Sequence, residues 1–370
     1  MLLLIPLLCL FSSFFDNQLD HHHLLCYTYF DWGDKIMILD ELLFSNISII
    51  GKSILSDCNL QSYPQNIQQM DLFLKQLKKS IDSNEFKGVL IANILFSFVS
   101  SVDIRDRNTT SRTFEDIFSA LFDCKCTDRQ FRTNPPITDE IQQYDKLCND
   151  LDWKISTDLS GNKREKADLI IDKYPISLKT LKGPAYSKDN IIILPDVNNE
   201  LNIGSFSYRA LLKGILSNEE LEKLSDRKAG LGSGSQLRKN IFNPVLKNNK
   251  KEEFFNRLKI FLKYVYEEDI VIVLKSHYRI DFILIPNSSF INTILNIYKV
   301  HEDVFEKVFY RWENNNLRIN WKILLDFMAK MNFPYYRTDI NLKNITNNKQ
   351  LFEIKEIVNS IINQFLKDNL

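Results

Sequence analysis

The segment Lys166-Ala-Asp168-Leu-Ile-Ile-Asp172-Lys-Tyr-Pro-Ile-Ser177-Leu-Lys179-Thr-Leu-Lys182-Gly183 carries two strand patterns around one turn. Leu169-Ile170-Ile171 is a short apolar run, and the residues from Pro175 to Leu181 alternate with period two. With Lys173-Tyr174 as a two-residue loop, Asp172 faces Pro175, Ile170 faces Ser177 and Asp168 faces Lys179. Because side chains alternate across a strand, Asp168, Ser177 and Lys179 then share one face, and Leu169, Ile171, Ile176 and Leu178 share the other. The spacing therefore predicts a hairpin with one core face and one charged face. Lys-Tyr is not a favoured turn pair, so the register is an assumption, but the hairpin topology does not depend on it.

A carboxylate beside an ammonium on a half-buried sheet suits metal-assisted cleavage of a phosphodiester. An aspartate holds a hard divalent cation, and a lysine orients the attacking water or offsets developing charge. Taken alone, an Asp-x10-Lys hairpin is more often an exposed ion pair of little energetic weight. The surrounding sequence has to decide between the two.

Asp168 on one strand and Ser177-Leu-Lys179 on the next resemble the PD-(D/E)xK restriction-endonuclease superfamily, and "ISLKTLKG" is similar to the second half of that motif in type II restriction enzymes. The close resemblance covers about 25 residues, and the flanking segments agree in order and character. Ala167 stands where the name-giving proline would be, and Ser177 stands where the second acid would be. The resemblance implies a mixed central sheet flanked by helices, Mg2+ as cofactor, and double-stranded DNA as substrate. It also implies a homodimer acting on both strands, a cognate DNA methyltransferase as genetic partner, and a cytoplasmic location without membrane attachment. Asp168 would bind the metal, Lys179 would act on the water, and Ser177 would be a bystander or a weak water contact.

Ser111-Arg-Thr-Phe114-Glu115-Asp116-Ile117-Phe118-Ser-Ala-Leu121-Phe122 opens with capping residues, and its apolar positions recur at helical spacing. Glu115 lies at the border of that stripe. In the resembling enzymes a helix ahead of the hairpin often supplies a glutamate, and Glu115 matches that place as a catalytic and metal-binding acid. The bland alternative is that Glu115 and Asp116 complement the helix dipole.

The 370 residues are 44% hydrophobic and 25% charged, an ordinary globular composition. With 47 basic and 47 acidic side chains the chain is no polycation. The charge is uneven, however: Lys223 to Lys263 carries eleven Lys/Arg against three Asp/Glu, and Lys163 to Lys188 carries seven against three. Basic segments next to a metal-type carboxylate fit a specific DNA binder with limited non-specific pull. The glycine cluster Ala229-Gly230-Leu-Gly232-Ser-Gly234-Ser-Gln236-Leu-Arg238-Lys239 lacks the spacing of a nucleotide-binding loop. Gln236, Arg238, Lys239 and Lys182 are the candidates for contact with a phosphate backbone or base edges. The alternative for the glycine cluster is a plain surface loop.

Met1 to Phe15 is almost wholly apolar but lacks a basic leader and is shorter than a membrane span. We expect translation to start at Met37, with residues 1–36 an upstream extension; a secretory signal is the alternative. Six cysteines without a C-x-x-C pair suit the cytosol, and Cys124-Lys-Cys126 is too tight for the usual zinc spacing. The His21-His22-His23 tract reads as chance, and His277 as structural.

Helices are expected over Asn66 to Ile81, Phe86 to Val102, from Thr138, over Ser205 to Leu216 and Ser217 to Leu224, and over Glu252 to Tyr266. Strands are expected over Asn190 to Pro195, Asp269 to Leu274 and Arg279 to Pro286. The expected organisation is a helical N-terminal portion over 37–110, a catalytic and DNA-binding α/β core over 111–300, and a C-terminal helical portion over 301–370. The functional expectation is a sequence-specific type II endonuclease. The alternatives are a non-specific or repair nuclease of the same fold, or a non-catalytic DNA-binding relative.

Overall fold

A computed structural model describes residues 47–83, 87–88, 90–92, 94–95, 110–124, 143, 146–147, 149–150, 167–182, 185–186, 191–192, 200–205, 212–219, 243, 250–266, 268–276, 279–313 and 316–341. All of them lie within the unit Ile47–Leu370.

After helical residues 47–57, α1 (Ile67–Asp82) begins where the Asn66 side chain accepts the Gln69 N–H at 3.0 Å. That bond satisfies one of the donors a helix start leaves without an intrahelical partner. Its residues Ile67, Met70, Phe73, Leu74, Leu77 and Ile81 are all buried, as their spacing predicts. Next comes α2 (Thr110–Leu121), then the hairpin of β1 (Leu169–Ile171) and β2 (Tyr174–Lys182). The elements β3 (Ala185–Tyr186), β4 (Ile191–Ile192), β5 (Glu200–Ser205) and α3 (Lys251–Val265) lie in the connection to β6 (Asp269–Ser276). The chain continues through β7 (Arg279–Ile285), α4 (Asn287–Val300), α5 (Glu302–Val308), β8 (Phe309–Glu313), β9 (Asn316–Asn320), α6 (Trp321–Lys330) and β10 (Tyr336–Asn341).

The central sheet has five strands in the order β1-β2-β6-β7-β10. Only the β2–β6 pair is parallel; β1–β2, β6–β7 and β7–β10 are antiparallel. One face packs Leu169, Ile171, Ile176, Leu178, Val271, Val273, Phe282 and Ile340 against α1, α2 and the helical residues before them. The other packs Ile270, Ile272, Leu274, Ile283 and Ile285 against α3, α4, α5 and α6. The architecture is thus α/β/α, with a hydrophobic layer on each side of a mixed sheet.

Several sequence expectations are corrected by the fold. The hairpin turn falls at Asp172-Lys173 rather than Lys173-Tyr174, because Ile171 pairs with Tyr174 and Leu169 with Ile176. Asp172 has a φ of 53°, a left-handed conformation that aspartate tolerates better than the lysine or tyrosine of the expected turn. The residues expected as one strand over Asn190 to Pro195 contribute the short β4, which pairs with β3 in a two-stranded sheet outside the central one. Ser205, expected to open a helix, ends β5 instead. Residues 301–370, expected to be helical, contain β8, β9 and β10, and β10 completes the central sheet, which therefore runs across the boundary expected at 300. The 37–110 portion is not separate either, since α1 packs in the same core as the sheet. The expectations for Thr138 onward, Ser217 to Leu224, Phe86 to Val102 and the C-terminal portion (over 342–370) fall partly, and those for the N-terminal extension and His277 wholly, outside the described residues.

Candidate active site on the β1–β2 hairpin

Moving the turn by one residue shifts the pairing by two, an even number, so every side chain keeps its expected face. Asp168 now lies opposite Ser177 rather than Lys179. The second face is not simply solvated, because over β6 and β7 it is core. It is polar at Ser177 and Lys179 on β2, positions in register with the fully buried Ile270 and Ile272 of β6. The site is therefore a polar margin beside a hydrophobic layer, with the Lys179 side chain 37% and the Asp168 side chain 20% exposed.

Asp168 gathers the site. Its own N–H donates to the Ile176 carbonyl at 2.9 Å, one residue ahead of the start of β1. The next donor along β2, the Leu178 N–H, has no strand opposite and is accepted instead by Asp168 Oδ2 at 2.7 Å. The same oxygen accepts the Ser177 hydroxyl at 3.2 Å and Lys179 Nζ at 3.3 Å. A three-residue strand followed on its upstream side by a carboxylate thus produces a fixed aspartate. Charge-assisted bonds of this kind are stronger than neutral ones. Ser177, expected as a bystander or a weak water contact, is buried, and its hydroxyl donates to Asp168.

The hairpin is anchored at its other end. The Tyr174 hydroxyl donates to Asp269 Oδ2 at 2.6 Å, and Asp269 Oδ1 accepts the Asn287 N–H at the start of α4 at 2.8 Å. Burial, reinforced by the adjacent Asp269 carboxylate, raises the Tyr174 hydroxyl far above the ordinary tyrosine range, so it remains a donor. Gln65 Nε2 donates to Asp172 Oδ2 at 3.1 Å and ties the turn to the segment before α1. These links lock β2 against β6 and hold the Asp168 end in register.

Glu115 lies on α2, whose residues Phe114, Ile117, Phe118 and Leu121 pack on the hairpin face opposite Asp168. Three residues past α2, the Cys124 thiol is raised to about 12, chiefly by burial, with the Asp123 and Asp172 carboxylates adding to it. Glu115 itself is half-buried, one residue along from the fully buried Phe114.

Asp168, Ser177 and Lys179 are the predicted residues that the fold brings together. Lys182 is the last residue of β2, and its Cα is in register with that of Lys275. Gln236, Arg238 and Lys239 lie outside the described residues. Two groups escaped the sequence reading: the Leu178 N–H and Asp269. The first is a main-chain donor with no side-chain signature. Asp269 was visible only as the start of an apolar strand.

Among the described residues no group of three or more His, Cys, Asp or Glu side chains gathers as a metal centre. Mg2+ does not require one, since it commonly takes one or two carboxylates and completes its shell with water and substrate phosphate. The Asp168 carboxylate is an oxygen donor of the type Mg2+ takes; a single carboxylate beside a lysine is not a zinc site of four protein ligands. Among the described residues no helix is long and apolar enough to cross a membrane.

An α/β/α sheet protein with an Asp-Ser-Lys cluster on an edge hairpin is the class that fold and site define together. No protein-family model, curated protein or solved structure matches the chain.

Proposed function

We propose that this protein is a Mg2+-dependent endonuclease that hydrolyses phosphodiesters of double-stranded DNA, acting as a type II restriction enzyme. The observation that carries the reading is the bond between Lys179 Nζ and Asp168 Oδ2 at 3.3 Å on a half-buried hairpin. A metal carboxylate and a cation are already side by side where a phosphate can approach. Bound Mg2+ would supply Lewis acidity and a water of lowered pKa.

Within this reading, Asp168 and Glu115 hold the cation, and Lys179 orients the attacking water or compensates the charge that grows on the phosphate oxygens. The Asp168 carboxylate is preorganised by main-chain and side-chain donors, so little reorganisation is required at the moment of reaction. Lys182, Gln236, Arg238 and Lys239 contact the DNA backbone or base edges. A two-fold homodimer matches a palindromic site, the protein works in the cytoplasm, and a methyltransferase of the same specificity protects host DNA.

Digestion of supercoiled plasmid in Mg2+ tests the proposal. Discrete fragments that disappear with Asp168→Asn are the expected result. A smear would favour a non-specific or repair nuclease, and binding without cutting would favour a non-catalytic DNA-binding relative in which Ser177 marks a lost acid.

A further inference from the structure

We infer that Ser177 is a positioning residue for the metal-binding carboxylate, an inference that rests on the proposed metal role of Asp168. Ser177 is 9% exposed, on the same sheet face as Asp168 and Lys179, and its hydroxyl is 3.2 Å from Asp168 Oδ2. The Leu178 N–H meets the same oxygen at 2.7 Å. One donor defines a distance; two donors from adjacent residues, one in the main chain and one in a side chain, define the plane of the carboxylate as well. A second acid at position 177 would direct another negative charge at Asp168 within a half-buried margin. Serine instead supplies a proton to the acid that is present. The Ser-x-Lys pattern here is thus a site in which one carboxylate is held more firmly, with any second carboxylate coming from another element.

Support from outside a metal's own ligands commonly changes affinity or activity by about 10–100-fold when removed. Mn2+ binding to the intact protein, followed by electron paramagnetic resonance, reads this without requiring turnover. Ser177→Ala should weaken Mn2+ binding by about tenfold or more. Ser177→Thr, which keeps the hydroxyl and suits a strand, should restore most of it. The urea midpoint of both variants should stay close to wild type, because loss of packing is not the cause. In an Asp168→Asn background, Ser177→Ala should have no further effect on Mn2+. Wild-type Mn2+ affinity in Ser177→Ala, or failure of Ser177→Thr to rescue, overturns the inference. A protein that binds Mn2+ with this pattern but cuts no DNA refutes the nuclease reading while upholding the inference; a wild type that binds no Mn2+ overturns both.

Discussion

Replacing Asp168 by alanine and by asparagine should separate its structural role from its chemical one. Three donors converge on Asp168 Oδ2: the Leu178 N–H at 2.7 Å, the Ser177 hydroxyl at 3.2 Å and Lys179 Nζ at 3.3 Å. Lys179 is 37% exposed, so solvent screening keeps that ion pair below about 1 kcal/mol. The serine hydroxyl is free to turn about its C–O bond. The Leu178 N–H cannot rotate, and alanine leaves it buried without its carboxylate, a loss of about 1–3 kcal/mol. An asparagine carbonyl still accepts it, so Asp168→Asn should lose less than about 1 kcal/mol. In urea, with a slope of about 3 kcal/mol per molar, the two variants should differ in midpoint by up to roughly 1 M, with asparagine the more stable. Coincident midpoints for the two variants would refute the claim that the carboxylate caps the end of the β1–β2 ladder.

Glu115→Gln removes a charge at the border of a buried stripe, so stability should change by less than about 0.5 kcal/mol while DNA cleavage falls by at least about tenfold. Wild-type cleavage rates would mean that the second acid lies elsewhere. A Cβ on Gly51 would sit 1.9 Å from the Leu121 carbonyl oxygen at the end of α2. Gly51→Ala should therefore cost about 1–3 kcal/mol, read as a fall in Tm of several degrees. The hydrogen bond from Lys78, 3.0 Å from Asp339 Oδ1, is the main cause that holds the Asp339 carboxyl below the usual range. A depressed folded-state pKa stabilises above the unfolded value near about 3.9 and loses that contribution as pH falls through the folded value. Lys78→Met should thus lower Tm slightly at pH 7, by less than about 1 kcal/mol given the exposure of both groups, with the difference closing at the acid end of a pH series. An equal gap at every pH would show that packing, not charge, is responsible.

The hairpin and its faces were legible in the sequence because period-two alternation survives an even shift in register. Asp168, Ser177 and Lys179 therefore reached the same face although the turn moved. Less legible was the hydrophobic layer on that same face. Its signal was present in Asp269-Ile-Val-Ile-Val-Leu274 and Phe282-Ile-Leu-Ile285, since runs without alternation indicate strands buried on both sides. The C-terminal strands were missed for a different reason. In Tyr336-Arg-Thr-Asp-Ile-Asn341 only Thr338 and Ile340 are buried, as suits an outer strand, and the charged residues between them obscure the pattern. The β8–β9 hairpin was more accessible, because Glu313 pairs with Asn316 across two asparagines between short alternating runs. The capping of Leu178 had no sequence signal, because it depends on where β1 stops.

Single-turnover cleavage of plasmid DNA in Mg2+ by wild type, Asp168→Asn and Lys179→Ala, with DNA binding measured in Ca2+ on the same preparations, tests the central claim most directly. The account predicts cleavage by wild type only, with both variants slower by at least about tenfold, the lower end of the usual loss when a metal ligand's support is removed. Binding in Ca2+ should persist in both. Cleavage by Asp168→Asn or Lys179→Ala at more than about a tenth of the wild-type rate, or no Mg2+-dependent cleavage by the wild type on DNA that it binds, would contradict it.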